Sequence, residues 1–310
     1  MIARVKHLPP SIAGLALAAA LISTAADAAK RRECQALEQS YAQIKSAASS
    51  VERNSLLFSA ATQECEALAN QLLGDGASLE ARDGLGNMPL AKAAKKGNVE
   101  LVKLFLAHKA PVNARNLEAS TALYLAAEDE RHAVAELLLE AGADPNLAGR
   151  NGIAPLAAAA YTGNSDLVAL LLNKGADPRA IDSTGKAAIV YAAGRAHTAV
   201  VLQLLDRGID INARYGNNLT VLMWAAGHSE EAGAADVKET LKVLLSRVAR
   251  IDDVDDRGRT ALMTAVELGH EIAIDALLEA GADRELKDKT GKSAADLTDD
   301  TARRARLAQH

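Results

Sequence analysis

The stretch NGIAPLAAAAYTGNSDLVALLLNKGADPRAIDS, residues 151–183, decides the fold, because close variants of it recur before and after it along the chain. It predicts an alanine-rich helix over residues 155–162, a break at Gly163, and an apolar helix over residues 166–173. Gly175 follows the second helix, at a place where the backbone often takes a positive φ that glycine adopts without strain. The unit is therefore a helix, a turn, a second helix and a loop.

Copies of this unit follow one another at a nearly constant spacing. The step is 33 residues, as from Leu57 to Leu90, except for one step of 40 from Leu222 to Leu262. The aligned residues of the first helix are Leu57, Leu90, Leu123, Leu156, Ile189, Leu222, Leu262 and Ala295. Helices of about 8 to 10 residues are too short to be stable alone. The sequence thus predicts one elongated array in which each unit packs on its neighbours.

The copies resemble ankyrin repeats, whose pattern places T-P-L-H-x-A-A in the first helix and L-L-x-x-G-A-D-x-N at the end of the second. Matching segments include STALYLAAEDERHAVAELLLEAGADPN (residues 120–146) and RTALMTAVELGHEIAIDALLEAGADRE (residues 259–285). The chain is similar to exported bacterial members of the family. The resemblance implies an all-α solenoid of helix-turn-helix units with projecting hairpins, about eight units over residues 53–310. Tyr124 departs from the pattern, because the family often has histidine there.

Residues 1–28 have the three parts of a secretory signal peptide. Arg4 and Lys6 form a basic start, residues 11–23 are apolar, and Ala26-Asp27-Ala28 fits a cleavage site. The alternative is a membrane anchor, but the apolar run falls short of the ~20 residues that span a bilayer. We expect a bacterial Sec substrate that is periplasmic or secreted, with no stable membrane insertion after cleavage; the alternative is secretion from a eukaryotic cell.

Residues 29–52 are predicted to form an amphipathic N-terminal cap helix. Its apolar positions lie on one helical stripe, formed by Leu37, Tyr41, Ile44 and Ala48. Cys34 and Cys65 are the only cysteines of the chain. If the cap folds back at Ser49, the two lie level, and an even number of cysteines in an exported protein suggests a disulfide. The alternative is two separate buried thiols.

Two segments depart from the regular array. Residues 230–236 (EEAGAAD) are extra, between the two helices of one unit, and form either a solvated loop or a protrusion for a partner. In the last unit, residues 290–310, the second helix carries Arg303, Arg304 and Arg306. These arginines are expected to solubilise a terminal unit that faces water, with an acidic-partner site as the alternative.

Charge and motifs narrow the function classes. A net charge of −5 and a pI near 5.9 disfavour binding to nucleic acid or anionic membranes. The chain has no G-x-S-x-G, P-loop, H-E-x-x-H or C-x-x-C motif, so we expect no catalytic residues, no metal and no cofactor. We expect a non-enzymatic protein-binding scaffold of the periplasm, monomeric. The alternatives are a secreted effector that acts on host proteins and an envelope enzyme with an unrecognised site.

The resemblance also implies where a partner binds, because ankyrin arrays use the hairpin tips and the residues that close each first helix. The chain has only one Trp, five Tyr and two Phe, and binding energy in interfaces tends to rest on Trp, Tyr and Arg. The predicted partner-binding residues are Tyr161, Arg195, Tyr215, His228, Trp224 and Tyr191. Packing between repeats is the alternative role for Tyr191 and Trp224.

Overall fold

A computed structural model describes residues 12–247 and 249–308, excepting the side chains of residues 12–27. Arg4 and Lys6 of the predicted signal peptide lie outside the described residues. None of the helices in the described ranges combines the length and the apolar character that a membrane crossing requires. The α-helices of these ranges are α1 (Ile12–Ile44), α2 (Ser50–Gln63), α3 (Glu66–Gly74), α4 (Pro89–Lys96), α5 (Val99–Ala107), α6 (Ala122–Glu128), α7 (His132–Glu140), α8 (Pro155–Thr162), α9 (Ser165–Asn173), α10 (Ala188–Gly194), α11 (Thr198–Asp206), α12 (Val221–Ala226), α13 (Ala234–Ser246), α14 (Ala261–Leu268), α15 (Glu271–Glu279) and α16 (Thr301–Leu307).

From α2 onward the helices form successive antiparallel pairs. The first helices of the pairs, α2, α4, α6, α8, α10, α12 and α14, pack in one row, and the second helices pack in another. A short 3-10 helix, Ala294–Leu297, and α16 form the eighth pair. In the described residues backbone pairing of the β type is limited to two isolated bridges. The predicted all-α solenoid is confirmed.

Local signals set the helix ends. In α6, α12 and α14 the N-cap residues Thr121, Thr220 and Thr260 each accept a hydrogen bond from the backbone N–H three residues on. Gly163 follows α8 with φ near 79°, a left-handed conformation that glycine adopts without strain. The prediction for α8 matches the structure, and α9 begins one residue earlier than predicted.

The core is a seam that runs the length of the array. Seven of the residues that set the 33-residue step are buried, from Leu57 to Leu262. Buried alanines such as Ala126 and Ala127 follow in each first helix and let neighbouring helices approach closely. Because each unit shares this apolar seam with the next, removal of apolar surface from water stabilises the stack rather than any single helix.

The N-terminal segment differs in detail from the prediction. Helix α1 ends at Ile44 rather than continuing toward Ser49, because Ser49 is the N-cap of α2 and forms a capping box with Glu52. Tyr41 and Ala48 are buried against the core, whereas Ile44 is 36% exposed, so the predicted stripe is wrong at Ile44. Helix α1 packs on α2 and α3.

The predicted disulfide between Cys34 and Cys65 is confirmed. Cys65 is buried at the N-cap of α3, and Cys34 lies half-buried on α1. The Lys30 ammonium forms an ion pair with Glu64 next to the bridge. The covalent link therefore joins α1 to the turn between the two helices of the first pair.

The seven-residue insertion is only partly a loop. Helix α13 has 13 residues, whereas α11 and α15 have 9, so residues 234–236 lengthen a helix instead of extending the loop. The remaining loop is tied back, because the Ser229 N–H donates to the Gly194 carbonyl at 2.8 Å. The insertion therefore has a fixed contact with the preceding unit.

The arginines of the last unit bind acidic residues of the preceding pair. Arg303 and Arg306 both form ion pairs with Glu271, and Arg306 also pairs with Asp275. Arg304 donates to the Thr298 carbonyl. Arg304 is exposed, as expected of a residue that faces water, whereas Arg303 and Arg306 also attach α16 to the carboxylates of α15.

Candidate partner-binding groove

The groove is the face formed by the first helices of the pairs and the turns that precede them. Its most apolar cavity, about 300 Å³, lies where α6, α8 and α10 meet. We call this cavity the tyrosine pocket; it is lined by Tyr124, Glu128, Arg150, Ile153, Ala157, Ala158, Tyr161, Thr162 and Tyr191. A wider depression of about 700 Å³ beside α2 has a more polar lining with several hydroxyl groups. Apolar cavities with a few polar groups are the usual binding sites, so the tyrosine pocket is the better candidate.

Two small residues of α8 create the tyrosine pocket. In the 33-residue register, Ala157 occupies the slot that holds Tyr124 in the preceding unit and Val190 in the next. Ala158 occupies the slot of Leu125 and Tyr191. Because both α8 slots carry only a methyl group, the larger side chains of α6 and α10 stand at the sides of an open space.

The turns that precede the first helices have one equivalent position in the repeat register, which we call the turn slot. Where it holds Asp or Asn, the side chain accepts two backbone N–H groups of its own turn, as Asp182 does from Thr184 and Lys186. Two turns have neither Asp nor Asn in this position but Gly149 and Tyr215. Both of these turns contain a 3-10 helix in place of the side-chain hydrogen bonds. The residues in this slot are Asp83, Asn116, Gly149, Asp182, Tyr215, Asp255 and Asp288.

Gly149 makes room for Tyr124. A Cβ atom at position 149 would lie 2.5 Å from Cγ of the Tyr124 ring, so any side chain there would displace it. The Tyr124 hydroxyl donates to Glu128, which is also paired with Arg150 at 3.0 Å. Burial first, and the Glu128 charge second, raise the pKa of Tyr124 to about 12. The phenol is therefore neutral at pH 7 and acts as a hydrogen-bond donor.

Tyr161 and Tyr191 form the opposite side of the pocket. Their ring centroids lie 6.1 Å apart in an edge-to-face arrangement. Tyr161 is 47% exposed, and the Tyr191 hydroxyl donates to the carboxylate of Asp182. Burial, followed by the hydrogen bond to Asp182, raises the pKa of Tyr191. Tyr161 thus offers an accessible ring, and Tyr191 a ring that is held in place.

Two cations lie against these rings. The Arg195 guanidinium is 4.4 Å from the centroid of Tyr161 and donates to its hydroxyl at 3.1 Å. The Lys186 ammonium lies 5.7 Å from the centroid of Tyr191 and 5.1 Å from that of Trp224. Four of the predicted residues, Tyr161, Tyr191, Arg195 and Trp224, are therefore joined into one contiguous cluster.

The other two predicted residues lie outside this cluster. Tyr215 is half-buried in the turn before α12, beside a separate cavity of about 420 Å³ that Arg179 also lines. His228 stacks on His270 with ring centroids 4.0 Å apart, and burial lowers the pKa of His228. His228 therefore contributes to packing between two units.

Tyr124 lines the tyrosine pocket and Lys186 lies against two rings of the cluster, but neither is among the predicted site residues. Tyr124 departs from the histidine of the family pattern, and the glycine at position 149 is the sequence signal that explains this departure. Lys186 carries no comparable signal, because a lysine in a turn is common. In the described part of the chain no group of three or more His, Cys, Asp or Glu side chains could hold a metal ion.

Comparisons with known proteins place the chain in a family. Residues 57–149, 144–215 and 214–288 match the family model for ankyrin repeats in three copies. The crystal structure of the human ASB11 ankyrin repeat domain is similar, with a TM-score of 0.64 and 26% identity, over 71% of this chain and 96% of that chain. No match was found among curated protein sequences. The matched segments include well over half of the residues, and the chain therefore belongs to the ankyrin repeat family.

Proposed function

We propose that this protein is an exported, non-enzymatic scaffold that binds a segment of a partner protein in its groove. Ankyrin repeats generally mediate protein–protein interaction, and the finer assignment rests on one observation. That observation is the tyrosine pocket, an apolar cavity with the half-exposed Tyr161 at its edge and two cations beside its rings. Aromatic and arginine side chains around a concavity are typical of the centre of an interface.

The groups around the pocket support binding rather than proton transfer. The hydroxyls of Tyr124 and Tyr191 donate to Glu128 and Asp182, so both carboxylates are already engaged. The raised pKa values of the two tyrosines keep their phenols neutral at pH 7. A general acid or base is most effective when its pKa lies near the working pH, which neither phenol satisfies.

Export is supported by two features. Residues 1–28 have the composition of a signal peptide, and the Cys34–Cys65 disulfide is of the kind that persists in oxidising compartments such as the periplasm. Fractionation of cells followed by mass spectrometry of the N-terminus tests the proposal. We expect a mature chain that begins at or near Ala29 in the envelope fraction. A soluble cytoplasmic protein that retains Met1 would contradict it.

Two substitutions test the groove. Tyr161→Ala and Arg195→Ala are expected to weaken partner binding by about 1 kcal/mol or more each, because they remove an aromatic and a cationic anchor. Thermal unfolding should change little, since Tyr161 is half-exposed and packs at the rim. The measurement is crosslinked capture from an envelope extract, with quantified affinity for each captured protein.

Glu140→Ala provides the control, because Glu140 is exposed on α7 in the row of second helices. We expect this variant to retain the full set of partners. Loss of partners in Glu140→Ala and retention in both groove variants would place the binding surface on the second-helix face and refute the groove.

A further inference from the structure

We infer that the tyrosine pocket takes an apolar side chain, preferably aromatic, from a partner segment that carries a carboxylate beside it. In this arrangement Lys186 and Arg195 are the counter-ions of the carboxylate. The inference rests on the proposed function and specifies the chemistry of the partner.

The pocket selects an apolar group by its lining and its size. Its floor consists of the methyl groups of Ala157 and Ala158, and Ile153 and the tyrosine rings surround them. A volume of about 300 Å³ lies at the lower end of the range for ligand sites, which suits one inserted side chain better than a larger ligand. An aromatic ring would add edge-to-face contacts with Tyr161 and Tyr191.

The charges around the pocket favour an anionic neighbour for that side chain. Lys186 forms no ion pair with any carboxylate of the described residues, and its ammonium rests on the rings of Tyr191 and Trp224. The buried indole N–H of Trp224 has no acceptor among the described residues. That N–H is closed to solvent, whereas the Lys186 ammonium is a cation without a carboxylate partner in the described ranges and suits a carboxylate of a bound segment.

A cationic guest is disfavoured by the same geometry. The rings of Tyr161 and Tyr191 already carry the Arg195 and Lys186 charges, so a third positive group would be repelled. The carboxylate that lines the pocket, on Glu128, is engaged with Arg150 and Tyr124, and the Asp182 carboxylate accepts from the Tyr191 hydroxyl. An acidic partner segment therefore complements the pocket, and a basic one does not.

Glu231 of the insertion places a carboxylate of this chain beside Arg195, where we expect the carboxylate of the partner to bind. Glu231 pairs with Arg195 at 2.8 Å, and its side chain is 75% exposed. An ion pair so exposed contributes little stability and exchanges readily. Because the loop is tied to Gly194 through Ser229, Glu231 stays near Arg195 and competes with the carboxylate of a partner. Removing its charge should thus strengthen the binding of an acidic segment.

The test is a selection of random twelve-residue peptides displayed on phage against the wild-type protein. We expect enriched peptides to place Phe, Tyr, Trp or Leu next to Asp or Glu. Synthetic versions are then titrated by calorimetry, with Trp224, the single tryptophan, as a second, fluorescent readout. Replacing the acidic residue of the peptide by Asn is expected to weaken binding about five-fold, and this effect should diminish at high salt.

Variants of the protein separate the two parts of the proposal. Ala158→Leu fills the pocket with a side chain that the same slot already holds at Leu125, and should lower affinity about ten-fold while the array stays folded. Glu140→Leu, which adds the same side chain at an exposed position in the row of second helices, is the control and should bind as the wild type does. Lys186→Gln should weaken acidic peptides about five-fold, and Glu231→Gln should strengthen them about two-fold.

The outcomes distinguish this inference from the proposed function. Peptides that lose binding in Ala158→Leu and Tyr161→Ala but show no preference for Asp or Glu would overturn the inference and leave the groove function standing. Weaker binding of acidic peptides to Glu231→Gln would also overturn the inference and leave the groove function standing. If no enriched peptide depends on Ala158 or Tyr161, both proposals are wrong.

Discussion

The two ends of the array are held by different forces. At the N-terminal end, a disulfide joins α1 to the first pair, and the buried Tyr41 donates its hydroxyl to Asp75 at 2.9 Å. At the C-terminal end, α16 buries only Leu307 among its described side chains, and its arginines pair with acidic residues of α15. The N-terminal end is therefore held by a covalent bond and apolar packing, and the C-terminal end mainly by ion pairs.

The difference matters because a terminal unit has a neighbour on one side only. In a linear array, stability is nearly a sum of terms for each unit and each interface, so an end unit lacks one of its interfaces. A disulfide compensates for the missing interface at any salt concentration or pH, but it persists only in an oxidising environment. Ion pairs at a surface are weak and respond to salt and acid. The two ends should thus fail under different conditions.

The largest expected effect is loss of the disulfide. Replacing both Cys34 and Cys65 by Ser should lower the free energy of unfolding of the N-terminal units by about 3 to 4 kcal/mol, the value of the loop-entropy model for a loop of this length. The sequence separation of the two cysteines is 31. Guanidinium denaturation with and without reductant measures it. Wild-type protein whose unfolding is insensitive to reductant would contradict the expectation.

A smaller effect at the same end is expected from Tyr41→Phe. The ring remains buried, but Asp75 loses a hydrogen bond, and a hydrogen bond is typically worth about 1 kcal/mol. The Asp75 carboxylate keeps its ion pair with Lys45 at 2.8 Å, which limits the loss. Urea denaturation of the variant beside the wild type gives the difference. An unchanged midpoint would show that the hydroxyl is as well satisfied by water.

At the C-terminal end, Glu271→Gln should cost about 0.5 to 1 kcal/mol at low salt, because Glu271 pairs with both Arg303 and Arg306. The loss should shrink in 1 M salt, where surface charges are screened. Glu279→Gln on the same helix is the control, since Glu279 is exposed and forms no such pair. Hydrogen exchange of the α16 amides reports on this end alone. Equal exchange in both variants would refute the ionic attachment.

The weakest effect concerns the turn before the last unit. The Thr290 hydroxyl first, and then the Lys292 and Thr290 backbone N–H groups, lower the pKa of Asp288 to about 2. The unfolded value is near 3.9, so the ionised form stabilises the fold above that pH, and this contribution is lost as the pH falls through about 2. Asp288→Asn should be less stable than the wild type at pH 6. The difference should shrink as the pH falls from about 4 and vanish below about pH 2, when acid unfolding of the two proteins is compared.

Most of the fold follows from the 33-residue step. The buried seam from Leu57 to Leu262 specifies the register so strongly that the repeat pattern alone places the helix pairs. Lys109 shows the strength of this constraint, because it adopts φ near 62° in a slot where Gly142 and Gly175 stand in other units. The predicted end of α1 is wrong because the capping of α2 by Ser49 competes with a continued helix.

The site is less predictable, because its geometry depends on what neighbouring units lack. Tyr161, Tyr191, Arg195 and Trp224 could be chosen by residue type alone. The cavity between them needs two alanines in α8 and a glycine before it, and small residues are ordinary in this helix of the repeat. The positions of the Lys186 and Glu231 side chains depend on contacts between different units, and a repeat pattern does not encode such contacts.

The alanine run of α8 also has a consequence for motion. Side chains from Ala157 to Ala160 are all buried but contribute few methylene contacts, so the interfaces of this unit with α6 and α10 are weaker than a leucine-rich helix would provide. Among the internal units, local opening should therefore be most frequent in this one, with faster amide exchange in α8 than in α14. A guest in the tyrosine pocket would supply the missing contacts. Binding would then stiffen the array at the middle and slow that exchange.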